Sequence, residues 1–324
     1  MMSNVNSSIA TLADIEIAVL IPCFNEASTI ASVVAGFRQA LPHASIYVYD
    51  NNSSDGTERV AREAGAVVRK EEQQGKGAVV RRMFADVEAD IYVMVDGDDT
   101  YDAASARALV DLCLSGPFDL VNGARQGDAG ATYRPGHRFG NKLFTHVVGY
   151  IFGLRIKDML SGYKVFTRRF VKSFPAASLG FEIETELTVH ALELRLPVSE
   201  RLTPYRERPI GSMSKLRTFQ DGVRILTLIG LLVKQERPLQ FFGSLAILAA
   251  LISVVLGSSI VVEFVETGLV PRLPTALLAT AAMLCAALSL FAGMILDSVT
   301  RGRREAKRLN YMLHPAPPTA PRPD

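Results

Sequence analysis

The chain has 324 residues with a formal net charge of +2, and 21% of its residues are charged. This near-balance argues against a dedicated nucleic-acid binder, for which a strong basic excess is expected, and the length fits one large domain or two smaller ones. The three cysteines form no CxxC pair, which favours reduced structural thiols in a cytosolic compartment. Residues 1–14 lack the basic start and apolar stretch of a signal peptide, and we expect them to be disordered.

Strands and helices are predicted to alternate in the first part of the chain. Short apolar runs predict strands at IEIAVLI (15–21), SIYVYD (45–50), AVVRK (66–70), DIYVMVD (90–96) and FDLVNGA (118–124). Apolar residues at helical spacing predict helices within ASTIASVVAGFRQAL (27–41), DGTERVAREAG (55–65), AVVRRMFADV (78–87) and AASARALVDLCL (103–114). This alternation is typical of an α/β fold with a mostly parallel, doubly wound sheet and helices on both faces.

Polar residues follow four of the predicted strands. The clusters are Asn25 with Glu26, Asp50 with Asn51, Gly75 with Lys76, and Asp96 with Asp98. Because ligands bind open α/β sheets at the carboxyl ends of the strands, the clusters predict one site rather than four unrelated exposed loops. The chain has neither a GxGxxG fingerprint after the first strand nor a GxxxxGKS/T motif, which disfavours a dinucleotide-dependent dehydrogenase and a P-loop protein.

The segment VMVDGDDTYD (93–102) crowds four carboxylates directly after an apolar run. Packed carboxylates repel one another and raise one another's pKa unless a cation or a basic side chain compensates. A divalent metal ion bound to phosphate is one such compensation, and we expect it at this segment.

Two long uncharged segments lie near the end of the chain, at about 241–262 and 273–296. Each exceeds the ~20 apolar residues that cross a bilayer, so a membrane hairpin is favoured over a buried globular one. Basic residues flank the outer ends of this hairpin, which predicts that the large domain and the tail lie in the cytoplasm. These flanking residues are Lys234, Arg237, Arg301, Arg303, Arg304, Lys307 and Arg308.

The charge and hydropathy pattern suggests how the chain is divided. We expect a soluble domain over 15–215, juxtamembrane amphipathic helices over 216–238, two transmembrane helices within 239–299 and a basic, Pro-rich cytoplasmic tail over 300–324. The segment 219–234 has the pattern of an interfacial helix, with an ordinary core helix as the alternative.

Several motifs occur in the order found in a known enzyme family. PCFNE, YDNNSSDGT, GKG and DGD resemble the corresponding segments of family 2 glycosyltransferases with the GT-A fold. DMLSGYKVFTRR (158–169) and RERPIGSMSKL (206–216) resemble the branch that includes dolichyl-phosphate mannose synthase and bacterial polyprenyl-phosphate glycosyltransferases. The resemblance covers about residues 15–240, and a terminal membrane hairpin fits the bacterial members.

The resemblance implies a site for a nucleotide sugar. The residues that it places there are Pro22, Phe24, Asn25, Glu26, Asp50, Asn51, Gly75, Lys76, Asp96, Gly97 and Asp98. Asp50 and Asn51 would read the base and ribose. Asp96 would contact the nucleotide, and Asp98, with Asp96, would bind a Mg²⁺ or Mn²⁺ ion that bridges the two phosphates. The mannose synthases carry glutamine where this chain has Thr100, so Asp99, Thr100 or water could complete the metal site.

The resemblance also implies an acceptor site for a phosphate and a sugar. The candidate residues are Arg125, Arg134, His137, Arg138, Lys142, Asp158, Ser161, Gly162, Arg206, Arg208 and Lys215. Arginine suits bidentate phosphate binding and lysine a point-charge contact. Arg208 and Lys215 join Asp96 and Asp98 as the expected catalytic residues, because they lie in the RPIGSMSK motif. For any single basic residue, the alternative is a solvated face near anionic lipid headgroups.

One further acidic pair could contribute to the site. Glu182 and Glu186 share one face of a predicted helix, with Glu184 displaced from it. They could hydrogen-bond to sugar hydroxyls, or form a polar helix face without a ligand.

The expected activity is inverting, metal-dependent transfer of a sugar from a UDP- or GDP-sugar to undecaprenyl or dolichyl phosphate at the inner membrane. The product would be a lipid-linked monosaccharide for cell-envelope glycosylation. A phosphomonoester with a second pKa near ~6 is largely a dianion at neutral pH and needs no general base.

The alternatives to this activity are transfer to a soluble or protein acceptor, or a catalytically silent nucleotide-sugar-binding scaffold. A polymer-making relative is disfavoured because the chain lacks tryptophan and hence QxxRW. The hairpin could also pack with copies of itself.

Overall fold

The computed structural model describes most of the chain, in ranges separated by gaps. The described residues are 15–126, 149, 156, 158–176, 180, 182–206, 230–231 and 233–317. They belong to two compact units, one covering positions up to 222 together with those from 307, and the other covering 223–306.

The first unit is built on a seven-stranded sheet. Its strands are β1 (Ile17–Cys23), β2 (Ser45–Asp50), β3 (Val67–Lys70), β4 (Ile91–Met94), β5 (Leu120–Gln126), β6 (Lys164–Thr167) and β7 (Val198–Pro204). Their order is β3-β2-β1-β4-β6-β5-β7. β6 is antiparallel to both of its neighbours, and the remaining pairings are parallel. The predicted mostly parallel sheet is therefore confirmed, whereas β6 and β7 were not anticipated from the sequence.

Helices cover both faces of this sheet, as predicted. In the first unit they are α1 (Ile30–Ala40), α2 (Thr57–Glu63), α3 (Lys76–Asp86), α4 (Ser105–Ser115), α5 (Arg168–Ser173) and α6 (Ile183–Leu194). Alternate residues of β1 point to opposite faces, because side chains alternate along a strand. Val19 belongs to a buried apolar cluster that includes residues of α1 and α4. Leu20 belongs to a second cluster, formed with residues of α3, α5 and α6.

The buried stripe of α1 shows how the sequence specifies this packing. Ile30, Val33, Val34 and Phe37 are its buried residues, and their spacing puts them on one face of a helix. Fully burying side chains of this size contributes about 1.5–3 kcal/mol each relative to leaving them exposed. The polar loops that precede such helices are thereby held at the carboxyl ends of the strands.

The second unit contains two apolar helices, α7 (Pro238–Thr267) and the greater part of α8 (Leu273–Met312). Both are long and apolar enough to cross a membrane, with mean hydropathies of 2.7 and 2.1 in their most apolar windows. Apart from Pro238 at the start of α7, the buried residues of each helix recur at every seventh position, which is the spacing of a coiled-coil seam. They are Ala246, Ser253 and Ile260 in α7, and Ala279, Ala286, Gly293 and Thr300 in α8.

Except for Ile260, this seam is made of small residues, so the two helix backbones come close together. The Ser253 hydroxyl donates to the Ala279 carbonyl at 2.7 Å. A Cβ at Gly293 would lie 3.0 Å from the Cβ of Phe242. Small residues and hydroxyls at a helix contact are typical of packing in a bilayer, where lipid is as apolar as leucine.

The helix α8 continues to Met312, well beyond the predicted span that ends near 296. From Lys307 onwards its residues belong to the first unit. There the Tyr311 hydroxyl donates to Asp119 Oδ2 at 2.8 Å, and the Arg169 guanidinium lies 4.8 Å from the centre of the Tyr311 ring. Lys307 Nζ lies 2.6 Å from Glu193 Oε2. The basic residues after the second predicted span are thus part of an ordered helix.

Replacing Tyr311 by phenylalanine should destabilise the first unit. The fully buried Asp119 carboxylate would lose one donor and keep Thr167 and Arg169. A hydrogen bond to a charged group is worth about 1.5–3 kcal/mol when buried, and the half-buried Tyr311 should give about 1 kcal/mol. This loss corresponds to a Tm about 2–4 °C lower, measured by thermal unfolding of the detergent-solubilised protein.

The matched control is Tyr47→Phe. Tyr47 is also half-buried against the core of the first unit, and its hydroxyl makes no hydrogen bond within the described ranges. Equal Tm values for the two variants would contradict the importance of the Tyr311–Asp119 contact.

Candidate functional site

The loops after β1 and β2 hold each other at the carboxyl edge of the sheet. Asn25 N donates to Ser53 Oγ at 2.8 Å, and Glu26 N donates to Thr57 Oγ1 at 2.9 Å. Asn25 Oδ1 in turn accepts from Ser54 N at 2.8 Å. Asn25 has a φ of 55°, a left-handed conformation that asparagine tolerates better than most residues. Pro22 and Phe24 flank the end of β1 and are both half-buried. The predicted nucleotide-binding residues at the end of β1 therefore lie in a segment that hydrogen bonds to the loop after β2 hold in place.

Asp50 and Asn51 at the end of β2 have different environments. The Asn51 amide is fully engaged, since Nδ2 donates to the carbonyls of Glu71 and Gln73, both at 2.8 Å, and Oδ1 accepts from Gly75 N at 2.7 Å. It thereby shapes the loop that leads into α3. Asp50 Oδ1 is buried without a hydrogen-bond partner among the described residues. Of this pair, Asp50 is the one that carries an unused acceptor.

Lys76 is the first residue of α3, and its side chain points toward the carboxyl edge of the sheet. Its side chain is 9% exposed, and its ammonium contacts Asp96 Oδ1 and Glu184 Oε1. Burial alone would lower the pKa of Lys76, but the two carboxylates outweigh burial and raise it. Burial raises the pKa of Glu184, with a further upward contribution from the charge of Asp96 that Lys76 opposes. A permanent positive charge thus lies beside the first aspartate of the DGD motif.

The DGD loop is held tightly at its centre. A Cβ at Gly97 would lie 2.6 Å from Cys23 Sγ, so only glycine allows the loop to lie this close to β1. The Thr29 hydroxyl donates to the Gly97 carbonyl at 2.7 Å. Asp98 is buried, and its Oδ1 accepts from the Thr100 hydroxyl at 2.6 Å. In this geometry Thr100 orients Asp98.

The described residues contain no group of three or more His, Cys, Asp or Glu side chains that could hold a metal ion. The carboxylates of the DGD motif are nevertheless oxygen ligands of the type that Mg²⁺ and Mn²⁺ prefer. Asp96 and Asp98 therefore fit a divalent cation only as part of a site that bound substrate or water completes. Asp99, the other acidic candidate, has a left-handed φ of 56°.

The predicted acceptor residues Arg125 and Asp158 form a partly buried, bidentate ion pair. Arg125 Nε donates to Asp158 Oδ2 at 2.7 Å, and Nη2 donates to Oδ1 at 2.8 Å. Burial alone would raise the pKa of Asp158, but the hydrogen bonds and charge of Arg125 outweigh it and lower that pKa. The Asp158 carboxylate is therefore ionised.

The turn at Ser161 and Gly162 connects the acceptor residues to the DGD motif. Ser161 Oγ donates to the Gly123 carbonyl at 2.5 Å, and Gly162 N donates to the Tyr101 hydroxyl at 2.8 Å. A Cβ at Gly162 would overlap the carboxylate of Asp96. The absence of a side chain at 162 thus allows the turn to lie directly against Asp96.

The remaining candidates divide into two groups. Arg206 is exposed, its amide donates to the Thr100 carbonyl at 2.8 Å, and its guanidinium lies 3.6 Å from Asp102. The candidates Arg134, His137, Arg138, Lys142, Arg208 and Lys215 lie outside the described residues.

Sequence reasoning gave no role to Glu184, which contacts Lys76, and considered Glu182 and Glu186 instead. Glu184 is buried in the first turn of α6, whereas Glu182 and Glu186 are half-buried. Both Glu184 and Glu186 lie between Ile183 and Leu187, so local spacing alone could not have singled out Glu184.

Comparison with known proteins agrees with this fold and identifies the chain as a glycosyltransferase. The family model described as "Glycosyl transferase family 2" matches residues 18–174. Glycosyltransferase AglJ of Haloferax volcanii is 36% identical over 234 residues, which are 70% of this chain and 75% of that protein. The chain therefore belongs to glycosyl transferase family 2.

Two other similarities bear on the branch and the fold. A protein named dolichyl-phosphate hexose transferase from Haloferax volcanii is 27% identical over 65% of this chain and 90% of its own length. Glucosyl-3-phosphoglycerate synthase from Mycobacterium tuberculosis, solved with Mn²⁺, UDP and glucosyl-3-phosphoglycerate, superposes with a TM-score of 0.57. That match has 21% identity and covers 69% of this chain and 80% of the other. The predicted GT-A fold is confirmed.

Replacing Gly162 by alanine should impair sugar transfer without unfolding the protein. The added methyl would push the Asp96 carboxylate away from Lys76, and misplacing a reactive-site group by about 1 Å can cost on the order of 100-fold in rate. We expect at least a tenfold lower transfer rate, with a Tm close to that of the wild type.

The control is Gly302→Ala, because a Cβ at 302 meets nothing within 4 Å. Transfer rates that are equal in the two variants would show that the approach of the turn to Asp96 is unimportant.

Proposed function

We propose that this glycosyltransferase transfers a sugar from a UDP- or GDP-sugar to a polyprenyl phosphate at the cytoplasmic face of a membrane. One observation carries the proposal: the Arg125–Asp158 pair and the DGD motif meet at the turn where Gly162 lies against Asp96. A phosphate bound near the arginine would stand next to a sugar whose diphosphate is bound near the aspartates.

The donor side suits a nucleoside diphosphate. Lys76 remains charged and could exchange a contact with Asp96 for one with a phosphate oxygen, while Asp50 offers an acceptor to the nucleoside. Glucosyl-3-phosphoglycerate synthase was solved in complex with UDP and Mn²⁺, which supports this class of donor. Asp96 and Asp98 would hold Mg²⁺ or Mn²⁺, and the metal would neutralise the departing nucleoside diphosphate.

The acceptor side suits a nucleophile that is already ionised. A phosphomonoester dianion needs no general base at neutral pH. Asp158 is a poor proton acceptor because both of its oxygens are engaged by Arg125 and its pKa is lowered. Catalysis would then rest on positioning and charge neutralisation, with one in-line displacement that inverts the anomeric carbon.

The two apolar helices support a lipid acceptor. Lys234 and Arg237 precede α7, and further basic residues follow the apolar part of α8, so that the charges favour a cytoplasmic catalytic domain. The relative named dolichyl-phosphate hexose transferase points to the same class of acceptor. We accordingly propose a catalytic domain over 15–215, joined by 216–238 to a hairpin within 239–299.

The direct test supplies the purified full chain with labelled nucleotide sugars, Mg²⁺ or Mn²⁺, and undecaprenyl or dolichyl phosphate. We expect label in the organic phase as an acid-labile glycosyl phospholipid with at least one donor. Label that appears only in a water-soluble product would favour a soluble acceptor, and the absence of any product with every donor would favour a silent scaffold. Either result would refute the proposal.

Asp98→Asn should abolish metal-dependent donor binding and reduce transfer by at least about 100-fold. The matched control is Asp102→Asn, which removes the same charge from the same acidic segment, where Asp102 instead accepts from Ser105 at the start of α4. Calorimetric titration of each variant with the donor, with and without metal, separates a loss of metal-dependent donor binding from a general effect of removing a negative charge. If both variants bind the donor equally, the metal assignment to Asp98 is wrong.

A further inference from the structure

A second lysine, Lys164, lies fully buried at the start of β6. It pairs with Met94 of β4 on one side and with Asn122 of β5 on the other. It therefore stands in the sheet between the strand that leads to the DGD motif and the strand that leads to Arg125. Burying an ammonium group is costly unless it is hydrogen-bonded, so Lys164 requires hydrogen-bond acceptors within the core.

Lys164 makes its hydrogen bonds to neutral oxygens. Its Nζ donates to Asn122 Oδ1 at 2.7 Å and to the Met159 carbonyl at 3.4 Å. Burial lowers the pKa of Lys164 to about 8, although the charges of Glu184, Asp158 and Glu200 oppose this. A methionine or leucine would fill the same space without the desolvation cost, so the ammonium group gains little for stability alone.

The bond from Lys164 determines how the Asn122 amide is oriented. Because Oδ1 accepts from the lysine, Nδ2 must face the other way, and it donates to the Asp158 carbonyl at 2.8 Å and to Glu200 Oε1 at 2.9 Å. The flipped amide would place NH₂ against the ammonium and an oxygen against Glu200. A neutral apolar residue at 164 would remove this constraint.

Asn122 and Glu200 together fix the backbone of Asp158. The same Glu200 Oε1 accepts from Asp158 N at 3.1 Å, so that both the amide and the carbonyl of Asp158 are held. The Asp158 carboxylate then engages Arg125 through three donors, the backbone N at 3.2 Å, Nε at 2.7 Å and Nη2 at 2.8 Å. An unbroken series of hydrogen bonds runs from Lys164 to the arginine of the acceptor side.

We propose that Lys164 is a positioning residue for the site of the acceptor phosphate. Lys164 acts through Asn122 and Asp158 to hold Arg125 in place. The inference rests on the proposed function, since it assigns Arg125 to that phosphate. Lys164 does not itself touch either substrate in this arrangement. Its loss should weaken acceptor binding selectively and leave the donor site, formed around Lys76 and Asp98, unaffected.

The test compares Lys164→Met with Lys164→Arg in the full chain, using undecaprenyl or dolichyl phosphate and the donor found active in the transfer assay. We expect Lys164→Met to raise the KM for the lipid phosphate by about tenfold or more. The KM for the nucleotide sugar should change by less than about twofold. Lys164→Arg keeps a donor and a positive charge, and should recover most of the acceptor affinity.

A second variant guards against loss of folding in Lys164→Met. Glu200→Gln keeps one oxygen acceptor but removes the charge that holds Asp158 N and Asn122, and it should raise the KM for the lipid phosphate in the same selective way. Thermal unfolding of each variant is measured in parallel.

The outcomes are distinct. A rise in both KM values together with a lower Tm would mean a merely structural lysine, and a rise in the donor KM alone would mean that Lys164 serves Glu184; each overturns the inference. If the wild type is active and Lys164→Met has the same KM for the lipid phosphate, this inference alone is refuted. A wild type that never glycosylates the lipid phosphate refutes the proposed function and the inference with it.

Discussion

The site depends on one buried charge, the ammonium group of Lys76 between Asp96 and Glu184. Carboxylates that are crowded at a strand end repel one another unless a cation lies among them. Lys76 supplies that cation from the first turn of α3, and Glu184 reaches it from the first turn of α6. The two contacts of Lys76 join α3 and α6, which are distant in the sequence, to the loop after β4. The geometry of the DGD motif is therefore fixed by elements on both of its sides.

The antiparallel strand β6 brings the turn of Ser161 and Gly162 to the edge of the sheet that carries the DGD motif. It lies between β4 and β5, and the turn just before it carries Ser161 and Gly162. Because β6 is antiparallel to β4, that turn lies at the edge where β4 leads into the DGD motif, and glycine at 162 allows it to lie against Asp96. A purely parallel sheet would place this turn at the opposite edge.

The sequence predicted those parts of the fold that depend on local pattern. The five apolar runs correspond to β1–β5, and the polar residues after them lie at one edge. β6 and β7 were missed, because a strand as short as KVFT (164–167) carries too little periodicity and is specified by its neighbours. The role of Glu184 depends on a lysine 108 positions away, and that of Tyr311 on Asp119, 192 positions away. Neither pair leaves a signal in local spacing.

The two buried lysines show how the same side chain can serve two purposes. Lys76 lies between two carboxylates, so its pKa is raised and its charge is permanent. Lys164 lies against an amide and a carbonyl, so burial dominates and its pKa falls to about 8. A fixed charge suits the proposed binding and release of a diphosphate, because the charge must persist when a carboxylate partner is exchanged. A lysine bound to neutral oxygens instead directs hydrogen bonds, since the ammonium group can only donate and so determines which atom of Asn122 faces it.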